Sequence, residues 1–202
     1  MKNPIKFGTD GWRAIIADEF TFENVRRAAQ ATADYFKTVE GAEPAVFVGF
    51  DVRFQSKAFA AAAAEVLCAN GFRVVMLDRP YPTPYVSFEV RRRKFAGGVM
   101  ITASHNPPAF NGFKVKAHFG GSATPEITAK IEANLARADA RGNQGVRPLV
   151  PALRDEGSDP LSPLPYFPRP YSEDFEHVIN GAACHPVTIS GRENAVHPAV
   201  FV

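Results

Sequence analysis

The sequence predicts an α/β layer architecture over residues 10–140, with a mixed or mostly parallel sheet. Three observations carry that expectation. Apolar runs of strand length alternate with amphipathic stretches of helical length. Glycine and proline fall between them, where helices stop and turns begin. The run Ala45-Val46-Phe47-Val48-Gly49-Phe50 is apolar without alternation, which fits a strand covered on both faces. No internal repeat is visible.

Composition bounds the function classes. Of 202 residues, 46% are hydrophobic and 22% charged, so a sizeable core is available. A formal net charge of +2 is too small to argue for nucleic acid or an anionic membrane surface. Residues 1–150 carry 20 Lys and Arg against 14 Asp and Glu, whereas 151–202 carry 3 against 7. A mildly basic body suits an anionic ligand, and equally a solvated surface. Cys68 and Cys184 lie far apart, which disfavours a disulfide framework and fits reduced thiols. Met1 to Lys6 shows no apolar signal region, and no run approaches the ~18 residues of a membrane span. The expectation is a soluble cytoplasmic protein with no nucleic-acid or membrane partner. Oligomeric state is not legible.

In chain order, Phe7 to Arg13 leads into a short strand candidate, Ala14 to Ala17. Gly8 and Gly11 permit close backbone approach, and Asp10 and Arg13 read either as a surface ion pair or as site residues. Thr21 to Val39 reads as a helix, with Thr21 as cap and Val25, Ala28/Ala29, Thr32 and Phe36 at helical spacing. The strand ending at Phe50 runs into Asp51-Val52-Arg53. Charged residues at the carboxyl end of such a strand lie where open α/β sheets bind ligands, though a pair that merely fixes the loop fits as well. Ser56 caps a second helix to Asn70, rich in alanine and closed by Gly71. Cys68 within it reads as a small core residue. Phe72 to Leu77 is a third strand. A proline-punctuated loop then opens a helix from Thr83 or Pro84 to Lys94. Its closing Arg91-Arg92-Arg93-Lys94 reads as a solvated face that complements the helix dipole. Thr124-Pro125-Glu126 starts a last helix, to about Arg137.

Between those last two helices lies the stretch that points to chemistry. Gly97 to Thr102 reads as a buried strand and feeds Thr102-Ala103-Ser104-His105-Asn106-Pro107. The chain then returns as Asn111-Gly112-Phe113-Lys114-Val115-Lys116. The hexapeptide taken alone reads first as an ordinary turn. In context, a hydroxyl, an imidazole and an ammonium gather at one strand end, which suits phosphoryl chemistry.

With Phe7-Gly8-Thr9-Asp10-Gly11-Trp12-Arg13 before it and Asn111-Gly112-Phe113-Lys114 after it, the chain resembles the α-D-phosphohexomutases, the phosphoglucomutase/phosphomannomutase enzymes. The resemblance covers residues 5 to about 140. It implies a three-layer α/β/α sandwich that carries the catalytic serine of an intramolecular phosphotransferase, moving phosphate between C1 and C6 of a hexose through a bisphosphate. On that likeness Ser104 is the phosphate carrier. Lys114, Arg13 and His105 are the further catalytic candidates. Thr102, Asn106, Asp51 and Arg53 are candidates for substrate or phosphate binding. The likeness also implies Mg²⁺, met here by Ser104 through its phosphate, a glucose 1,6-bisphosphate-type activator and a hexose phosphate substrate.

The family's closely spaced aspartates for Mg²⁺, its sugar-recognition segment and its C-terminal phosphate loop have no counterpart in these 202 residues. The expected division is therefore residues 1–141 as the serine-bearing domain and 142–202 as an irregular, proline-rich linker or tail, at most the truncated start of a second domain. Residues 151–202 hold 8 of the 17 prolines, and the spacing over Tyr171 to Asn180 suggests a short helix. Cys184, His185 and His197 show no familiar metal-ligand spacing. The chain alone is expected to be inactive in turnover, and a non-enzymatic phosphosugar- or partner-binding module is the alternative.

Overall fold

The computed structural model describes residues 5–8, 11–140, 176–179 and 186–188. Helices and strands alternate from the start: β1 (Trp12–Ile15), α1 (Phe22–Phe36), β2 (Glu43–Phe50), α2 (Ser56–Ala69) and β3 (Arg73–Leu77). There follow α3 (Thr83–Arg93), β4 (Phe95–Ile101), β5 (Phe110–Ala117) and α4 (Pro125–Ala140), then two short strands, β6 (Glu176–Ile179) and β7 (Pro186–Thr188).

Local chemistry explains most boundaries. The Thr21 hydroxyl accepts from the Asn24 N–H at 3.2 Å, which caps α1. Lys94 ends α3 in the left-handed conformation, a stop that Gly or Asn more often provides. One expectation fails here. Ser56 is not the cap of α2; that position belongs to Gln55, in the left-handed region with no side-chain bond to the helix. Ser56 is buried and its hydroxyl donates to Asp51 instead.

The described strands join one mixed sheet in the order β1-β5-β4-β2-β3-β6-β7. Among them, only β2 with β3 and β2 with β4 run parallel. The expected predominance of parallel pairing thus holds only at the centre of the sheet. The reason is chain length: β5 follows β4 after a short turn, too short for the crossover that a parallel neighbour needs, so the pair is antiparallel.

Gly97 and Gly98 show how the layers meet. A Cβ on Gly97 would strike the Phe36 ring of α1. One on Gly98 would lie 2.7 Å from Val90 Cγ2 of α3. Adjacent strand residues face opposite sides, so α1 and α3 cover opposite faces of β4. α2 and α4 pack against α1 and share its face, giving three layers. Trp12 stacks on Phe20 at 4.7 Å, and Phe20 meets Phe59 edge-on at 4.9 Å, which ties β1 to α2. Each such side chain stabilises by roughly 1.5–3 kcal/mol through burial.

The basic end of α3 is more than a solvated face. Glu89 is buried, and Arg92 and Arg93 both donate to it, at 2.7 and 2.6 Å. Burial raises the cost of its charge, but the two arginines outweigh that and hold its carboxyl below the usual range. Arg93 also lies over the Phe47 and Phe95 rings.

Two expectations for the C-terminal part need correction. Residues 176–179, read as part of a short helix, form strand β6 antiparallel to β3; the rest of that expected helix lies outside the described residues. The tail is also not irregular throughout, because β6 and β7 extend the sheet. β3 would otherwise present a bare edge of unpaired N–H and C=O groups.

Candidate functional site

The loop from Thr102 to Ala109 leaves β4 at the carboxyl end of the sheet and returns as β5. Its first turn is unusual. Ser104 has φ 55°, a left-handed conformation that costs a residue with a Cβ about 1–2 kcal/mol. Such strain persists only where the surroundings over-determine it. Here they do. The Ser104 N–H donates to Thr102 Oγ1 at 3.0 Å, and the Ser104 carbonyl accepts from Arg53 Nη2 at 2.8 Å. Both peptide units of the serine are therefore held. Ser104 and His105 are exposed, with Oγ 3.5 Å from His105 Nδ1, a contact too long to be a strong hydrogen bond.

Arg53 does far more than touch one carbonyl. Nη2 also donates to Asn106 O at 2.6 Å, and Nη1 donates to Pro107 O at 2.9 Å and Phe110 O at 3.0 Å. Its Nε lies 3.4 Å from Asp51 Oδ2. A guanidinium has five N–H groups; here both terminal nitrogens donate to backbone carbonyls, and Nε faces the Asp51 carboxylate. In this arrangement the terminal nitrogens of Arg53 are engaged by the loop. Asp51 is likewise occupied, since its Oδ1 accepts from the Arg53 N–H at 2.9 Å and from Ser56 Oγ at 2.7 Å.

Two participants escaped the sequence reading. Asn111, fully buried, donates from Nδ2 to Ser56 Oγ at 2.9 Å and accepts the Gly112 N–H on Oδ1 at 2.9 Å. Ser56 links that amide to Asp51. Asn111 stood in the sequence as part of the motif Asn111-Gly112-Phe113-Lys114 and Ser56 as a helix cap, and neither signal shows that the two side chains meet.

Of the other candidates, Arg13 on β1 donates from Nη1 to Asn106 Oδ1 at 2.9 Å, so the loop is gripped from both sides. Gly112 makes room for this: a Cβ there would sit 2.6 Å from Thr102 O and 3.0 Å from Arg13 Cγ. Lys114 lies in β5 opposite Met100 and is buried. Asp10 lies outside the described residues. The structure thus brings Thr102, Ser104, His105, Asn106, Arg13 and Arg53 together, with Lys114 on the adjoining strand. An open groove beside Arg53, lined by Asp51, Ser56, Lys57, Asp78 and Arg79, follows the carboxyl ends of β2 and β3.

A Mg²⁺ ion demands near-octahedral oxygen coordination, usually including carboxylates. Asp51, the carboxylate tied to this loop, is engaged by Arg53 and Ser56. No group of three His, Cys, Asp or Glu suited to a metal occurs among the described residues. Those residues do not fit a Mg²⁺ site.

Residues 4–142 match the family profile described as phosphoglucomutase/phosphomannomutase, alpha/beta/alpha domain I. The chain belongs to that family. A phosphoglucomutase of Staphylococcus saprophyticus is 38% identical over 134 residues, covering 63% of this chain and 23% of the relative. A phosphoribomutase of Saccharomyces cerevisiae is 39% identical over 141 residues, covering 65% and 23%. Among solved structures, a Thermus thermophilus protein described as a phosphomannomutase superposes with TM-score 0.63 at 46% identity, covering 67% of this chain and 30% of that one. The chain thus spans between about a quarter and a third of the length of the curated relatives it matches. The three relatives bear three different sugar names, so domain I of this family does not by itself announce the sugar. No helix among the described residues is long and apolar enough to cross a membrane.

Proposed function

We propose that this chain is the phosphoryl-carrying domain of a phosphohexomutase and that Ser104 is the acceptor. The observation that carries the reading is the exposed serine held left-handed at the carboxyl end of β4, with Arg53 and Arg13 fixing its loop. In the transfer, Ser104 Oγ forms a new bond to phosphorus and the bond from phosphorus to the sugar oxygen breaks. The departing electron pair stays on the sugar oxygen, which takes up a proton. The serine proton passes to a neighbouring base, for which His105 Nδ1 is nearest in the chain. The resulting phosphoserine carries roughly −1.5 to −2 charges near neutral pH. Arg13, already at the loop, and Lys114, on the adjoining strand, are the cations placed to offset that charge; Lys114 is also the candidate for proton exchange with a sugar hydroxyl.

Membership of the family supports a sugar phosphate as substrate; a hexose phosphate, with a sugar bisphosphate as the phosphoryl source, is our reading of it. The sequence carries no closely spaced run of aspartates of the kind the family uses for Mg²⁺, so the 202-residue chain is expected to accept phosphate on Ser104 without sustained isomerisation. The test is intact-mass analysis after incubation with glucose 1,6-bisphosphate, with and without Mg²⁺, followed by fragment mapping. A single added phosphate on Ser104, absent in Ser104→Ala, supports the reading. A phosphate mapped to Ser56 or Ser122 refutes the assignment, and binding of bisphosphate without any transfer favours a binding module.

A further inference from the structure

We infer that Arg53 is a positioning residue that sets the phosphoryl acceptor from the neighbouring strand and does not bind the substrate. The inference rests on the reading of Ser104 as acceptor. It goes beyond that reading by assigning what keeps the acceptor in its reactive shape.

The geometry commits the terminal nitrogens of the guanidinium to the loop. Its two terminal nitrogens span the carbonyls of Ser104, Asn106, Pro107 and Phe110, all within 2.6–3.0 Å. A loop whose carbonyls converge on one point would ordinarily suffer repulsion between their oxygens. A planar cation with fixed donor directions relieves this, and does so at defined positions. The arginine is itself fixed. Asp51 accepts its backbone N–H and faces its Nε, Ser56 donates to Asp51, and Asn111 donates to Ser56. That relay runs from the end of β2 through the start of α2 into β5. The two strands flanking β4 are therefore coupled through Arg53 to the loop that β4 delivers. On the N-terminal side of Ser104 the hold is Thr102 Oγ1; on the C-terminal side it is Arg53. Without the second hold, the left-handed serine relaxes and its hydroxyl loses a defined direction.

Lysine keeps the charge but offers three donors on a flexible stem, so it does not span four carbonyls. The full chain is compared as wild type, Arg53→Lys and Asp51→Asn, with two readouts. The first is the rate of Ser104 phosphorylation across glucose 1,6-bisphosphate concentrations, followed by mass spectrometry. Arg53→Lys is expected to lower the maximal rate about 10- to 100-fold, the scale of a small misplacement, with the half-saturating concentration unchanged. Asp51→Asn, which removes the counterion and keeps the fork, is expected to fall between. The second is amide hydrogen exchange. The Asn106 and Phe110 N–H groups bond the carbonyls of Ala103 and Pro107, and Arg53→Lys is expected to speed exchange there while α1 and β2 keep their protection.

A raised half-saturating concentration with an unchanged maximal rate would overturn the inference and make Arg53 a substrate ligand. Unchanged exchange across 102–110 in both variants would overturn it too. If wild type takes no phosphate on Ser104, the acceptor reading fails. The exchange experiment then still decides the clamp, since it needs no phosphoryl donor.

Discussion

The left-handed serine makes a stability prediction that is independent of any activity. Replacing Ser104 by alanine or by glycine removes the same hydroxyl, which lies 3.5 Å from His105 Nδ1, so that loss costs little in either case. The two variants differ in backbone freedom. At φ 55° alanine bears the left-handed cost of about 1–2 kcal/mol, and glycine does not. Glycine gives back about 0.4–1 kcal/mol through the greater entropy of its unfolded chain. The net expectation is that Ser104→Gly is more stable than Ser104→Ala by about 0.5–1 kcal/mol. With a urea m-value of about 2 kcal/mol/M, that is a midpoint difference of about 0.2–0.5 M. Ser104→Asn should fall between, because asparagine tolerates this region better than alanine. The assay is equilibrium urea unfolding followed by far-UV circular dichroism, with the three variants measured side by side. A Ser104→Ala midpoint equal to or above that of Ser104→Gly would refute the left-handed strain.

Further outcomes follow from the same contacts. Thr102→Val keeps the shape but removes the acceptor of the Ser104 N–H, so it should cost about 1–2 kcal/mol and raise amide exchange at Ser104. Gly98→Ala drives a Cβ to 2.7 Å from Val90 Cγ2 and should cost about 1–3 kcal/mol; adding Val90→Ala should return less than the sum of the single losses. Glu89→Gln leaves Arg92 and Arg93 without their anion, at a cost of about 1–2 kcal/mol at neutral pH, reduced because both arginines reach solvent. The folded Glu89 carboxyl is held below its ordinary value of 4.5, so its stabilisation is present above that pH and is lost as pH falls through the lowered value. Unfolding curves of wild type and Glu89→Gln should therefore converge as the pH falls through that lowered value.

Much of the fold was legible because local chemistry agreed with it. Thr21 capped its helix as read, the alanine run formed α2, and Gly71 adopted the positive φ that ends that helix. The sheet's parallel share was overestimated, because alternating strands and helices do not reveal which strand lies beside which. β6 and β7 were missed for another reason. Runs as short as His177-Val178-Ile179 and Pro186-Val187-Thr188 carry too little pattern, and what places β6 is the open edge of β3. In the site, Ser104 stood out by sequence, but its backbone conformation did not, since nothing about a serine announces a left-handed φ. Arg53 was legible as a site residue and not as a clamp, because its partners are backbone carbonyls 51 to 57 residues away. Glu89 reads as an ordinary surface residue of a charged helix; only the packing of α3 on the sheet buries it.

The antiparallel seat of β1 on β5 has a consequence for the newborn chain. Arg13 and Asn106 are 93 residues apart, and among the described strands β1 pairs with β5 alone. At elongation rates of about 5–20 residues per second, the first strand emerges roughly 5–20 s before its partner exists. For that interval Trp12, nearly fully buried at the end, has no sheet to enter. Everything from β2 to β4 can assemble on the ribosome while the N-terminus waits. Once β5 is out, docking of the first strand closes the far side of the serine loop. Ribosome-bound chains stopped between β4 and β5 should accordingly show a protected sheet centre and a protease-sensitive start, and a nascent-chain chaperone that grips apolar segments would find its handhold at residues 12–15.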